Sequence, residues 1–407
     1  MVGWSQVESI RSLGPLPFAA AACFALSATM LTTFPIIAPH VVSELKLSYV
    51  GAGLITSAYM FGYGLFQIPA SLLGMRLGSE RGLVGATALM CAAALIGVFT
   101  GTFSGWIISR LLLGIGGAAV LPLSLDLLTR ALSGARLMKG ISIFVSGWGL
   151  GMTLALLGAA PLLHAYGWRE VMLASVALGV PVLVLLRRSL PTSESDHIER
   201  ALTARRLKRQ LIDLGRNYRL NLMGLVNAAG TTTMICVPSW LPLYLTGSFN
   251  ASPAEASGAL SSVGLAVVFG GWSGGTLAIR MGWQPVVVGS LIVSAALVAL
   301  IPLLPSAVFV VAVAVLTGWA AMLFPAPIQS LFPSVVSGEW TALAAAYYNT
   351  IGFIGAFAAS LVFGLLVDWA GSFAIGWLWL ALVPWIGVAA ALSLPTAATP
   401  TSSFGET

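Results

Sequence analysis

The sequence predicts an all-α integral membrane protein: twelve transmembrane helices in two pseudo-symmetric six-helix bundles. Three observations carry that expectation. The chain is 407 residues long, 58% hydrophobic and only 8% charged, against roughly 25% charged in ordinary soluble domains. Its apolar residues come in runs of about 20, the length that crosses a hydrocarbon core, and they are too long and too uniformly apolar for barrel strands. Finally, a polar hinge between two such runs occurs twice. Residues 71–81 read Ser-Leu-Leu-Gly-Met-Arg-Leu-Gly-Ser-Glu-Arg, and Leu73, Arg76 and Gly78 return as Leu277, Arg280 and Gly282, at an offset of 204 residues. A hinge repeated at half the chain length marks a duplicated membrane protein.

In chain order the spans read as 15–40, 47–72, 82–100, 105–129, 139–164 and 169–187, then 219–246, 254–279, 284–303, 306–332, 340–369 and 372–395. Residues 1–187 hold the first bundle and 218–395 the second, with a linker at 188–217 and a tail at 396–407. Ahead of the first span stand Glu8 and Arg11 with no early apolar core, so no cleavable signal peptide is expected. Between spans two and three, and again between eight and nine, Gly78 and Gly282 permit a tight turn while Arg76 and Arg280 sit at a membrane surface. Between spans five and six the turn is Gly167-Trp168-Arg169. The linker carries Glu194, Asp196 and Glu199 and then Arg205, Arg206, Lys208 and Arg209, a pattern that suits a helix lying along the membrane surface. The offset of 204 holds along the whole first half: Ser27 falls on Thr231, Gly114 on Gly318, Ser133-Gly134 on Ser337-Gly338, and Gly167 on Gly371.

Orientation follows from the basic residues. With a cytoplasmic amino terminus, only Lys46 and Arg169 of the 19 Lys and Arg lie outside and Arg110 lies within a span; the rest lie inside. The positive-inside rule therefore places both termini in the cytoplasm, in the inner or plasma membrane. The net charge of +6 is then explained by loops beside anionic lipid, with no nucleic-acid partner needed. Cys23, Cys91 and Cys236 are odd in number, lie in apolar runs and lack paired spacing, so neither a disulfide framework nor a metal site is expected.

The hinge resembles the loop between the second and third helices of the major facilitator superfamily, Gly-x-Leu-Ala-Asp-Arg-x-Gly-Arg-Arg. Ser71, Leu73, Gly74, Met75, Arg76 and Gly78 occupy its places; Met75, and Ile279 in the repeat, stand where the family carries Asp. Arg110-Leu-Leu-Leu-Gly114-Ile-Gly116 resembles the family's fourth-helix pattern, and Gly167-Trp168-Arg169 its turn into the sixth helix. The places where drug antiporters of the family carry Gly-Pro and then Gly-Gly hold Ala155-Leu156 and Ala159-Ala160, which favours uptake or facilitated passage over drug–proton exchange. The resemblance implies a secondary transporter, symporter or uniporter, working by alternating access: a small-molecule substrate, with or without a coupling proton or ion, no cofactor, no enzymatic activity, and a monomer in the bilayer.

The candidate site residues are polar groups inside the spans. Arg110 lies about five residues, roughly 7 Å, from the outer end of the fourth span. A charge there faces protein or water rather than lipid and can hold a carboxylate through two parallel hydrogen bonds. Ser27, Asn227 and Thr231 supply hydroxyl and amide groups, and Trp319, Tyr347, Tyr348 and Asn349 supply polar and aromatic faces. No acidic residue falls at mid-membrane, where a proton-coupling carboxylate is expected. Arg76, Gly78, Asp126, Arg280 and Gly282 are the expected gating set, with Asp126 pairing with Arg76 or Arg130 in place of the missing hinge Asp. The preferred substrate is a small organic anion such as a monocarboxylate. Export of amphipathic drugs or metabolites is the alternative, and a non-transporting membrane sensor is the third reading.

Overall fold

The computed structural model describes residues 13–47, 49–189 and 204–395; the expected tail and the linker residues Glu194, Asp196 and Glu199 lie outside the described residues. In the first half α1 (Leu16–Glu44), α2 (Tyr49–Leu65), α3 (Gln67–Leu77), α4 (Ser79–Phe99), α5 (Phe103–Ala131), α6 (Gly134–Tyr166), α7 (Trp168–Ala177) and α8 (Gly179–Ser189) follow one another. After the linker helix α9 (Ala204–Arg216) come α10 (Tyr218–Phe249), α11 (Pro253–Met281), α12 (Trp283–Leu300), α13 (Ala307–Ala321), α14 (Pro325–Gln329), α15 (Phe332–Val335), α16 (Thr341–Ala370) and α17 (Phe373–Ser393).

Eleven stretches among the described residues are long and apolar enough to cross a membrane. The twelfth expected span, 47–72, is present but broken at Phe66 into α2 and α3, of 17 and 11 residues. The tenth, expected as one run from 306 to 332, is also broken: α13 stops at Ala321, and Pro325 opens the short α14. Pro325 and Pro327 each remove a backbone donor, so a continuous helix through them would leave carbonyls unpaired. The expected surface helix of the linker is α9. It turns Leu214 inward and leaves Arg209, Ile212 and Asp213 exposed.

The repeat is visible in backbone and packing alike. Gly78 and Gly282 adopt φ of 87° and 88°, and Gly167 and Gly371 adopt 107° and 62°, a region glycine enters without steric penalty. α2 packs on α5 as α11 packs on α13, α4 on α5 as α12 on α13, and α1 on α6 as α10 on α16. A Cβ on Gly114 would strike the backbone of Tyr59 and Tyr63; 204 residues later, one on Gly318 would meet Val263, the repeat partner of Tyr59.

The halves meet along two seams, the first at the end that carries Arg76 and Arg280 and the second running from that end past the middle of the helices. In one, α3 and α5 pack on the start of α16, where Ala342 joins Ala119 and Leu123 in one apolar cluster. In the other, α6 lies against α11 through small residues: Gly271 faces Ser146, Gly275 faces Ser142, and Gly264 faces Thr153. Small residues let helix backbones approach closely, so dispersion can hold helices together in lipid, where no hydrophobic force drives them to associate.

Candidate functional site

Between the halves lies a small cavity of ≈ 40 Å³. Its first-half wall is Phe24, Tyr63, Leu121, Val145 and Trp148; its second-half wall includes Asn227, Thr231, Phe324, Gln329, Asn349 and Phe353. The aromatic rings are mutually braced. Phe24 lies 4.8 Å from Phe144 and 5.0 Å from Trp148, and Tyr63 lies 4.7 Å from Phe353 across the junction of the halves.

The amides form a partly satisfied network. Asn227 donates its Nδ2 to the Tyr348 carbonyl at 3.1 Å and accepts the Thr231 hydroxyl at 3.0 Å. Its orientation is fixed from both ends, and Gly352 opposite leaves no room for a Cβ. Asn349 Nδ2 and Gln329 Oε1 are buried without a hydrogen bond of ordinary geometry, with the Tyr63 hydroxyl beside Asn349 and the Tyr348 hydroxyl beside Gln329. Below them Gln67 is fully buried with both amide atoms unpartnered.

Arg110 stands behind this wall, in a separate small pocket with Thr33, Trp106, Ser109, Met172 and Ser175. It is 2% exposed. Its Nη1 donates to the Met30 carbonyl at 3.3 Å, while Nε and Nη2 have no partner. The guanidinium carbon sits 4.8 Å from the Phe34 ring centre and 4.9 Å from that of Tyr59, cation–π contacts that offset part of the cost of burying it. Local packing explains the placement. Gly62 on α2 and Gly114 on α5 bring the two backbones together, which lays Tyr59 over the arginine. Tyr59 in turn stacks on the cavity residue Tyr63 at 5.8 Å and 21°. The only charged side chains buried among the described residues are Arg110 and Asp126.

Of the eight residues expected at the substrate site, the structure brings Asn227, Thr231 and Asn349 to the cavity wall. Ser27 is buried one layer back, beside Gly117 and the Tyr59 hydroxyl. Tyr348 lies behind Asn349's helix, edge-on to Phe332 at 5.4 Å. Tyr347 faces away and donates to Asn221 at 2.8 Å, and Trp319 is turned to the outer surface, 36% exposed. Phe24, Tyr63, Trp148, Gln329 and Phe353 were not singled out by the sequence. For Gln329 a signal existed: it is an uncharged polar residue in an apolar run just after two prolines.

In the gating set, Arg76 and Arg280 are exposed in the last turns of α3 and α11, each followed by its positive-φ glycine. Asp126 is fully buried and accepts the Ser79 hydroxyl at 2.5 Å and Arg130 Nε at 3.1 Å. It therefore ties α5 to the first turn of α4 within one half, and its ion-pair partner is Arg130 rather than Arg76. At the opposite end Glu44 accepts Trp168 Nε1 at 2.8 Å and is paired with Arg169. The Arg169 hydrogen bond, followed by that of Trp168, holds the Glu44 carboxyl below its ordinary range.

The profile of the Major Facilitator Superfamily matches residues 18–360. Among curated proteins, the chain is 31% identical over 130 residues to the probable anion transporter 6, chloroplastic, of Arabidopsis thaliana, covering 32% of this chain and 25% of that protein. It is 28% identical over 203 residues to a gallate transporter of Pseudomonas putida, covering 50% and 43%. With the drug efflux pump JefA of Mycobacterium tuberculosis it shares 29% over 136 residues, covering 32% and 26%. The matched stretches thus span less than half the length of these relatives. Among solved structures, the E. coli fucose:proton symporter FucP superposes with a TM-score of 0.73 at 18% identity, covering 92% of this chain and 98% of that one. The human organic anion transporter MFSD10 (TETRAN) gives 0.75 at 14%, covering 93% and 99%. At these identities the structural likeness speaks to the fold alone.

Proposed function

The chain belongs to the Major Facilitator Superfamily, a family of transporters rather than enzymes, and from that premise we propose that it carries a small organic anion across the membrane by alternating access. The observation that carries the anion reading is the uncompensated charge of Arg110. The guanidinium carbon lies 4.9 Å from the Tyr59 ring centre, which lies 5.8 Å from that of the cavity residue Tyr63. For a monoanion held on the order of 10 Å from that charge, at an effective dielectric constant near 20, the attraction is about 1.7 kcal/mol, a factor of ten or more in affinity. Of the two buried charges among the described residues only Arg110 lacks an ion-pair partner, because Asp126 is already neutralised by Arg130. Arg110 is thus a through-space electrostatic anchor behind the Tyr59–Tyr63 stack, while Asn227, Thr231 and Asn349 make the polar contacts. An anion transporter and a gallate transporter among the relatives agree with this reading.

The remaining parts follow. The Arg76/Arg280 end faces the cytoplasm with both termini, in the inner or plasma membrane. Residues 1–187 and 218–395 rock against each other as bodies, and Arg76, Gly78, Asp126, Arg280 and Gly282 form the elements that part at the inner gate. No carboxylate lines the cavity among the described residues, so the substrate's own charge, rather than a protonated acid, sets the response to membrane potential. The protein acts as a monomer.

Amphipathic export is the second reading, favoured by the aromatic walls and the absence of a charged side chain on the lining. Counterflow in proteoliposomes separates the two. A labelled small carboxylate should exchange saturably, and Arg110→Met should raise its half-saturation concentration on the order of tenfold while leaving that of a neutral analogue in place. Equal effects on the charged and neutral compounds would remove Arg110 from the site and move the assignment to the amphipathic class.

A further inference from the structure

We propose that Tyr63 is a further substrate-contact residue and that its single hydroxyl proton couples occupancy of the cavity to the seam between α3 and α16. This rests on the anion reading above and deepens it. Tyr63 lines the cavity near the end of α2, and its ring meets Phe353 of the other half at 4.7 Å. Its hydroxyl lies beside two carboxamides, Asn349 on α16 and Gln67, the first residue of α3. Asn349 Nδ2 and both amide atoms of Gln67 lack a hydrogen bond of ordinary geometry, so all three groups depend on the same neighbour. Chemistry fixes their roles. Asn349 Nδ2 only donates, so it meets the Tyr63 oxygen, and the Tyr63 O–H is left to serve the Gln67 carbonyl oxygen.

That proton has a second claimant when the cavity is occupied. A carboxylate is a charged acceptor, and charge-assisted hydrogen bonds are about twice as strong as neutral ones. The carboxylate therefore takes the proton, and Gln67 Oε1 loses the donor beside it. Gln67 is fully buried, so bulk water does not make up the loss while α3 stays packed on α16. A buried acceptor without a donor destabilises the packing that buries it. Relief comes when α3 and α16 part and water reaches the amide. The backbone suits that movement, because the helix is broken at Phe66, between Tyr63 and Gln67, and Pro69 leaves the Leu65 carbonyl without its helical donor.

Pulsed electron resonance on the full chain in liposomes tests the switch, with spin labels at the exposed Leu77 and Ser337 on the two sides of this seam. Ligand-free protein is the first arm. Tyr63→Phe keeps the ring and removes the proton, so the longer-distance population should rise on the order of tenfold relative to the shorter one. Gln67→Leu removes the acceptor altogether, so the same population should fall below wild type. Loss of packing alone would move both variants in one direction. Lactate at saturation is the second arm: it should raise the longer-distance population of wild type and leave both variants where they were, while uncharged lactamide changes nothing. Shifts of the same sign in the two folded variants, or no shift in either, would overturn the switch and leave the anion reading intact. A wild type that ignores lactate, or answers lactamide equally, would overturn the anion reading and this inference with it. If one variant does not fold, the lactate response of the other decides, and a response equal to that of wild type would overturn the switch.

Discussion

Replacing Gly271 by Leu should force open the seam between α6 and α11. The glycine has ordinary helical backbone, so the perturbation is one of space rather than conformation. A Cβ there would lie 2.8 Å from Ser146 Oγ and 3.0 Å from Ser146 Cα and N, and the rest of a leucine has nowhere to go but into the partner helix. Overpacking of this kind costs about 1–3 kcal/mol. In a protein that alternates between two packings, that strain falls on the state in which the seam is closed, so the equilibrium should move on the order of 5- to 150-fold toward the state in which it is parted. Spin labels at the exposed Arg136 and Met281, which flank this seam, read the change as a longer-distance population in pulsed electron resonance. Gly158→Leu is the control. It lies on the same helix α6, but its Cβ would meet nothing within 4 Å, so the distribution should stay as in wild type. A Gly271→Leu protein that is folded and keeps the wild-type distance distribution would refute the assignment of this seam as a gate.

Two further outcomes follow from the backbone and from charge. Gly78→Ala and Gly282→Ala should each lower stability by about 1–3 kcal/mol, because both need φ near +88° with extended ψ, a region closed to residues with a Cβ. The sites themselves are roomy, so thermal unfolding should show similar losses in the two halves, and a loss in one alone would argue against a shared backbone role. For Glu44, Arg169 and Trp168 hold the folded-state carboxyl below its unfolded value, so its contribution is complete above the ordinary glutamate pKa of about 4.3 and fades as pH falls below it. The melting-temperature difference between wild type and Glu44→Gln should therefore be constant from pH 6 to 8 and shrink in acid; a difference that grows in acid would contradict the pairing.

The fold was legible because its signals are coarse. Lipid demands long apolar helices, and turns between them demand glycine, so Gly78, Gly167 and Gly282 and the run lengths sufficed. The broken spans were less so. Each break is set by a proline four residues on, Pro325 after Ala321 and Pro69 after Leu65, which removes the donor to that carbonyl; a reading by apolar run length passes over both. The site was legible only by residue type. Span helices here are apolar on every side, so periodicity does not say which face meets lipid and which meets the cavity. Tyr348 and Asn349 are adjacent in sequence yet only the second reaches the cavity, and Trp319 points outward although its helix neighbour Gly318 is buried. The sequence places Arg110 well inside its span and offers it as a direct carboxylate ligand, whereas the structure seats it in a separate pocket; its distance from the cavity depends on the Gly62–Gly114 approach, which pairs residues from two different helices and has no local signature.

Function resides where the two repeats differ. In the register of 204, Asn227, Gln329 and Asn349 stand opposite Cys23, Leu125 and Val145, while Arg110 and Asp126 stand opposite Ala314 and Ser330. The second half thus carries the carboxamides that line the cavity, and the first half the buried charge of Arg110 and the Tyr59–Tyr63 stack beside it. Val145 and Asn349 both line the cavity, so the same structural position offers an apolar wall on one side and a donor on the other. This division has a mechanical consequence. A ligand shifts a conformational equilibrium only by binding one state better than another. Here the charge and the hydrogen-bonding groups belong to different bodies, so a substrate gains both sets of contacts only when the halves are drawn together around it. Opening toward either side separates the half-sites and weakens the hold, which is the condition for release on the far side of the membrane.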